Sequence, residues 1–205
     1  GSIAGLEALD ALTVSGCPRL TDAGIAQLCK GRATLTAFAA AECSLLSDDA
    51  LRALCAHSGA TLGWIDASGW SRLTNAPEAR RRGGIDTLAQ RCGRALRSLE
   101  LRQCTSLPAG SLASVGVACR ELIFIDVSGC AAAVDDVLMS SLRGLKYLRG
   151  LRIAGCTTLT DDGLAEVPNW TLRALDASGL PHITDSGIER MARSLHTLEA
   201  LDISG

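Results

Sequence analysis

Apolar residues recur along this chain at a fixed spacing. The spacing is Leu-x-x-Leu-x-Leu-x-x-Cys, with related apolar residues accepted, and its copies begin at Leu9, Leu35, Leu62, Leu96, Leu122, Leu148, Leu172 and Leu198. Successive copies are 26, 27, 34, 26, 26, 24 and 26 residues apart. Within a copy the apolar residues alternate with other residues, which predicts a short strand with its apolar side chains on one face. The chain is therefore predicted to be a repeat protein.

A second pattern lies between the copies, as in LTDAGIAQL at 20–28 and LTDDGLAEV at 159–167. Its Thr or Asp can cap a helix whose apolar residues follow at i, i+3 and i+4. Each repeat is therefore predicted to be a strand followed by a returning helix. Such a unit buries its apolar face only against its neighbours, so the units stack and their strands form one parallel sheet.

The recurring length, the Leu spacing, the Cys and the Leu-Thr-Asp turn together resemble the cysteine-containing leucine-rich repeat of F-box ubiquitin-ligase adaptors and related intracellular scaffolds. The resemblance covers nearly the whole chain from Leu9. It implies an α/β leucine-rich-repeat solenoid of about eight repeats, a curved horseshoe with the parallel sheet on the concave face and the helices on the convex face. We expect one domain over residues 1–205, belonging to a longer chain, with its uncapped terminal repeats either self-associating or covered by further sequence.

The nine cysteines follow the repeat. Five take its ninth position, where a thiol can donate to a neighbouring carbonyl, and four fall in the helical segments. These are Cys17, Cys43, Cys104, Cys130 and Cys156, and then Cys29, Cys55, Cys92 and Cys119. Because the count is odd and no Cys-x-x-Cys occurs, the sequence predicts free thiols and no metal site. Free thiols indicate a reducing intracellular compartment such as the cytoplasm, the nucleus or a cilium.

Composition adds little evidence for chemistry. The net charge of -2 and the pI near 5.9 give no overall attraction to nucleic acid. The three histidines, His57, His182 and His196, lie in different repeats, and no phosphate-binding loop or nucleophile motif occurs. We therefore predict no catalytic residue, no cofactor and no metal ion. The longest uncharged stretch is too polar to cross a membrane.

Two columns of side chains are predicted to line the concave face. One reads Thr13, Ala39, Asp66, Glu100, Asp126, Arg152, Asp176 and Asp202, and the other reads Ala11, Ala37, Trp64, Ser98, Phe124, Gly150, Ala174 and Ala200. The two aromatic residues of the second column are typical anchors of protein recognition, unless a loop or further sequence covers them. The three adjacent acids of the first column repel one another. Either a basic partner relieves this repulsion, or Arg97, Arg102, Arg149 and Arg152 neutralise it.

The 34-residue interval contains eight extra residues, APEARRRG at 76–83. Insertions in repeat proteins map to surface loops, and some of these loops bind partners. Arg80, Arg81 and Arg82 can pair with phosphate, which makes RNA or a phosphate ligand one alternative. The other is a loop that its arginines merely keep solvated, and the scarcity of aromatic residues and lysines favours it.

The leading hypothesis is a protein-protein recognition scaffold that binds a protein partner through its concave face. The family resemblance suggests the substrate-recognition part of an F-box-type adaptor, and the alternative is an architectural scaffold in a larger assembly, for example in a cilium. The predicted partner-binding residues lie on the third to sixth strands or directly beside them. They are Trp64, Asp66, Arg97, Glu100, Arg102, Phe124, Asp126 and Arg152.

Overall fold

A computed structural model describes residues 8–30, 34–77, 82–167 and 171–205 of the chain. Within these residues, eight three-residue strands alternate with seven helices. The strands are β1 Ala11–Thr13, β2 Ala37–Ala39, β3 Trp64–Asp66, β4 Ser98–Glu100, β5 Phe124–Asp126, β6 Gly150–Arg152, β7 Ala174–Asp176 and β8 Ala200–Asp202. The helices are α1 Asp22–Lys30, α2 Asp48–Ser58, α3 Gly84–Cys92, α4 Ala113–Ala118, α5 Asp136–Leu142, α6 Asp161–Ala165 and α7 Asp185–Ala192.

The strands form one parallel sheet in chain order, from β1 to β8. Neighbouring strands pair in the register of the repeat, so that Trp64 lies beside Ser98 and Asp66 beside Glu100. Parallel neighbours need a crossover connection, and the helices or turns between the strands provide it. The architecture is the predicted α/β leucine-rich-repeat solenoid, and both predicted side-chain columns run across its sheet.

The core lies between the sheet and the helices. The central residue of most strands is buried, as Ile65, Leu99 and Ile125 illustrate with no exposed surface. The leucines that open the repeats and the apolar side of each helix complete this layer. The opposite side of the sheet carries the first and third residue of each strand. We call this side the open face, and it is the predicted concave face.

A ladder of hydrogen bonds joins successive repeats at the ninth position. Four of the five thiols there donate to the carbonyl of the sixth residue in the preceding repeat, for example from Cys104 Sγ to Ala67 O at 3.2 Å and from Cys130 Sγ to Leu101 O at 2.8 Å. Trp70 replaces the cysteine of the third repeat, yet its indole nitrogen donates to the equivalent carbonyl of Ala40 at 2.8 Å. All nine cysteines are free, as predicted. Cys17 is exposed, whereas the other eight are buried.

A second ladder of hydrogen bonds, which was not predicted from the sequence, connects the turns that precede the helices. The carboxylate of Asp22 accepts from Ser47 N at 2.9 Å and from Ser47 Oγ at 2.7 Å. Asp136 accepts in the same way from the backbone and hydroxyl of Thr160, at 3.1 and 2.7 Å. The Ser/Thr-Asp pair therefore has two roles, one in capping its own helix and one in bonding to the neighbouring repeat. Thr160 caps α6 by accepting from Asp162 N, as predicted, while it also donates to the previous repeat.

In the part of the chain that the structure describes, no helix combines the length and apolar character needed to cross a membrane. The longest helix, α2, has 11 residues.

Candidate functional site

The residues predicted from the sequence to bind a partner lie on or beside the open face, but they are not equally accessible to a ligand. Trp64 is half-buried, and its indole nitrogen donates to Glu100 Oε1 at 3.0 Å across neighbouring strands. Arg97 lies in the approach to β4, where its guanidinium pairs with Glu121 at 3.6 Å. Trp64 and Glu100 therefore form a contact of their own, and Arg97 is paired outside the acidic column.

Two predicted carboxylates stabilise the chain itself. Asp66 and Asp126 are only 9% and 1% exposed. Each accepts a hydrogen bond from the backbone nitrogen two residues later, at Ser68 and Ser128, at 3.0 and 3.1 Å. Both side chains were predicted to be available to a partner. In the structure they instead accept the hydrogen bonds that stabilise the turns after β3 and β5. The Asp-x-Ser motif at these strand ends is the signal that could have indicated this role.

The charge of Asp126, one of the three adjacent acids, is balanced inside the molecule. Asp126 Oδ2 lies 3.9 Å from Arg102 Nε and 3.6 Å from Arg152 Nη1, so two arginines from neighbouring repeats flank one buried carboxylate. Their side chains are 48% and 53% exposed and keep much of their surface for a ligand. Of the two alternatives that the sequence left open, internal neutralisation is therefore the one realised at Asp126.

Phe124 is held in a defined position at the start of β5. A Cβ placed on Gly150, its neighbour in register, would lie 2.6 Å from Phe124 Cδ2, so the ring packs closely over this glycine. The guanidinium carbon of Arg152 lies 5.4 Å from the ring centroid, which is a cation–π distance. The half-buried ring is thus fixed by a glycine and an arginine. A fixed aromatic side chain loses little conformational freedom on binding, which favours its use as an anchor.

A groove of about 560 Å³ opens beside this ring on the open face. Its space results from the small residues that follow Phe124 along its column, namely Gly150, Ala174 and Ala200. The groove also extends past the predicted site to the acidic side chains of β7 and β8. Its lining is Arg102, Phe124, Asp126, Ser128, Gly150, Leu151, Arg152, Ala154, Ala174, Leu175, Asp176, Ala200, Leu201 and Asp202.

Half of the eight predicted partner-binding residues line this groove. Arg102, Phe124, Asp126 and Arg152 do so, whereas Trp64, Asp66, Arg97 and Glu100 lie outside it. Asp176 and Asp202 also line the groove, and neither was among the predicted residues, because the aromatic side chains were taken as the anchors. The signal that could have found them is the run of Gly and Ala in the column beside them, which leaves room above the sheet.

The arginine-rich insertion is only partly described, because Arg80 and Arg81 lie outside the described residues. Arg82 is exposed, and its backbone oxygen accepts from Arg52 Nε at 2.9 Å. A smaller cavity of about 270 Å³ lies beside α2 and α3 and is lined partly by Arg52, Arg82 and Arg91. Arg82 is therefore on the helical side of the molecule and does not line the groove on the open face.

Among the described residues, no group of three or more His, Cys, Asp or Glu side chains is arranged to hold a metal ion. The three histidines are exposed, as expected for surface residues. His57 Nδ1 lies 3.1 Å from the carbonyl of Ala53 in its own helix.

No protein-family model matches the chain. The DNA repair protein rhp7 of Schizosaccharomyces pombe is 28% identical over 130 residues, covering 60% of this chain and 23% of the relative. The yeast structure of Rad7 in complex with Elc1 is similar with a TM-score of 0.73 and 18% identity, covering 95% of this chain and 49% of that one. The chain thus spans about a quarter of the curated relative and half of the solved one.

Two more distant structures are similar in fold. An internalin, InlF of Listeria monocytogenes, matches with a TM-score of 0.56 at 14% identity. The match covers 98% of this chain and 63% of the internalin chain. A structure of TLR13 with a single-stranded RNA matches with a TM-score of 0.53 at 17% identity. The match covers 90% of this chain and 27% of the TLR13 chain. At these identities the similarity extends to the fold alone.

Proposed function

Because the chain is a leucine-rich-repeat protein, we propose that it is a recognition scaffold that binds a protein partner through the open face of its sheet. The observation that carries this proposal is the groove beside Phe124, in which a fixed aromatic ring, half-exposed arginines and a floor of small residues meet. Aromatic anchors flanked by charges are typical of the residues that dominate protein interfaces.

Substitution of the anchor tests this proposal. Phe124→Ala in the full-length protein removes the ring from the open face, whereas Val137→Ala removes an equally apolar side chain, 60% exposed, from α5. Partners recovered with the wild type and with Val137→Ala should be depleted at least tenfold with Phe124→Ala, since loss of a true anchor costs about 2 kcal/mol or more. Equal recovery with both variants, each folded by circular dichroism, would overturn open-face recognition.

The more specific version of the proposal is that the chain is the substrate-recognition part of a ubiquitin-ligase adaptor. The resemblance to the repeats of F-box adaptors supports it. The match to Rad7, which was solved in complex with Elc1, is a second reason to expect a recognition subunit inside a larger complex. All nine cysteines are free, which is consistent with a protein located in a reducing compartment such as the cytoplasm, the nucleus or a cilium.

The adaptor version is tested by the fate of the partner. A substrate that depends on Phe124 for binding should carry ubiquitin in cells with the wild-type protein and lose most of it in cells with Phe124→Ala, while Val137→Ala changes nothing. If the partner is bound through Phe124 but its ubiquitination is unchanged, the adaptor version is wrong. The architectural scaffold is then the better description.

A further inference from the structure

We infer that the part of the groove above β7 and β8 is a subsite for a lysine or arginine side chain of an extended protein segment, an inference that rests on the proposed open-face recognition. Asp176 and Asp202 form this subsite. They are neighbours in the register of the sheet, and both line the groove.

The two ends of the groove differ in how their acids are balanced. Asp126 at one end is flanked by Arg102 and Arg152. Asp176 and Asp202, at the other end, take part in no ion pair among the described residues of the chain. Arg152 is also the register neighbour of Asp176, but its ion pair is with Asp126. The second end therefore presents two adjacent carboxylates with no ion pair of their own among the described residues, and a cation from a ligand would compensate them.

Each of these carboxylates also keeps an oxygen for a ligand. Asp176 Oδ1 accepts from the backbone and hydroxyl of Ser178, at 3.2 and 2.7 Å. Asp202 Oδ1 accepts from Ser204 in the same way, at 3.0 and 2.7 Å. These bonds fix the carboxylates, and the bonds from Ser204 lower the pKa of Asp202 below its ordinary value. In both residues Oδ2 accepts none of the hydrogen bonds found within the described chain.

The shape of the groove points to an extended segment as the occupant. Ala174 and Ala200 are exposed, and their small side chains leave space above β7 and β8. The ring of Phe124 lies at the opposite end of the groove. The midpoint of β7 and β8 is two and a half strand spacings from β5, or roughly 12 Å. An extended chain covers this distance in three to four residues. The expected ligand therefore has an apolar residue three to four positions away from a basic one.

Selection from a displayed library of random 12-residue peptides tests this specificity. On the wild type, the selected peptides should share an apolar residue and a lysine or arginine three to four positions apart. On the double variant Asp176→Asn and Asp202→Asn, the basic preference should disappear, because the amide oxygens still accept from Ser178 and Ser204 while both charges are gone. A selected lysine peptide should bind this variant roughly two- to fivefold more weakly.

Two controls make the outcome specific. Asp185→Asn removes an exposed carboxylate of α7 that does not line the groove, and it should leave the selection unchanged. Asp176→Lys with Asp202→Lys should convert the preference to acidic peptides. If the lysine preference persists in the asparagine variant, or if the wild type selects no basic residue, the subsite is wrong.

Failure of the subsite is distinguishable from failure of open-face recognition. Ala174→Leu fills the groove from an exposed strand position without adding volume to the core. If Ala174→Leu and Phe124→Ala weaken the selected peptides but the asparagine variant does not, only the basic subsite is overturned. If none of these variants weakens binding, the peptides bind elsewhere and both the subsite and the proposed function fall.

Discussion

Two tryptophans of the third repeat have opposite environments although they are close in sequence. Trp64 lies half-buried on the open face and donates to Glu100. Trp70 is fully buried at the position of the ladder cysteine and donates to Ala40 O. Trp70 departs from the Cys of the repeat pattern, yet it preserves the hydrogen bond with a different donor. A change of residue type in a repeat therefore need not be a change of structural role.

Replacement of these two residues should have very different effects on stability. Trp70→Ala should lower the free energy of unfolding by about 3 to 5 kcal/mol, because it leaves a large cavity and an unpaired carbonyl. Trp64→Ala, on the open face, should cost less, about 1 to 2 kcal/mol, because its ring is partly exposed to water. Urea denaturation followed by circular dichroism measures both. Equal destabilisation by the two substitutions would contradict the assigned environments.

The buried thiols make stability dependent on alkaline pH. Burial raises the pKa of Cys119 and of Cys156 from 9.0 to about 12. Between pH 9 and pH 12 the unfolded chain therefore releases these protons while the folded chain retains them, so stability falls as pH rises. At pH 10, one unit above the ordinary value, each thiol should cost about 1.4 kcal/mol.

Comparison of urea denaturation at pH 7 and pH 10 checks this expectation. The variant with Cys119→Ala and Cys156→Ala should be less stable at pH 7 but should lose about 2 to 3 kcal/mol less than the wild type on going to pH 10. Groups that titrate equally in both proteins cancel in this comparison. An identical loss in both proteins would contradict the burial of these thiols in the folded state.

At the level of single elements, the sequence predicted the strands more fully than the turns. Every strand follows from the Leu spacing, because each copy specifies which side chains enter the core and a shift by one residue would expose them. The hydrogen bonds between turns were missed, since a Ser/Thr-Asp pair beside a helix is already explained as a cap. Its bond to the next repeat becomes visible only when the repeats are stacked.

The turn ladder predicts a contrast between two adjacent acids of α2. Asp48 is 7% exposed and accepts from Thr74 N, Thr74 Oγ1 and Gly84 N at 3.0, 3.1 and 2.6 Å. Asp48→Ala leaves these donors unpaired and should cost about 2 to 4 kcal/mol. Asp49→Ala serves as the control, because Asp49 shares the first turn but its side chain, which pairs with Arg52, is 49% exposed.

The control substitution should cost less than Asp48→Ala, because a half-exposed carboxylate keeps part of its hydration in the folded protein. Thermal melting of the two variants side by side separates the contribution of the Asp48 hydrogen bonds from that of the charge, since both variants lose one negative charge from the same helix terminus. Similar melting temperatures for Asp48→Ala and Asp49→Ala would show that the ladder adds no stability beyond helix capping.

At the scale of the whole molecule, the groove lies in the acidic half of the chain. Residues 103–205 carry twelve acidic against eight basic side chains, whereas 78–102 carries three acidic against seven basic. The sequence therefore contained the charge asymmetry, the aromatic residues and the columns of the open face. It did not contain the groove, because that space depends on three small residues from separate strands meeting beside one ring. The basic insertion could not be related to it, since Arg82 lies on the helical side.

Site-specific photo-crosslinking in the full-length protein tests the central claim most directly. A benzophenone amino acid is placed either at Ala174 on the floor of the groove or at Val137, which is exposed on α5. Open-face recognition predicts a partner adduct from position 174 that is lost when Phe124→Ala is added, and none of the same partner from position 137. A partner that crosslinks from position 137 and not from position 174 would contradict binding through the open face.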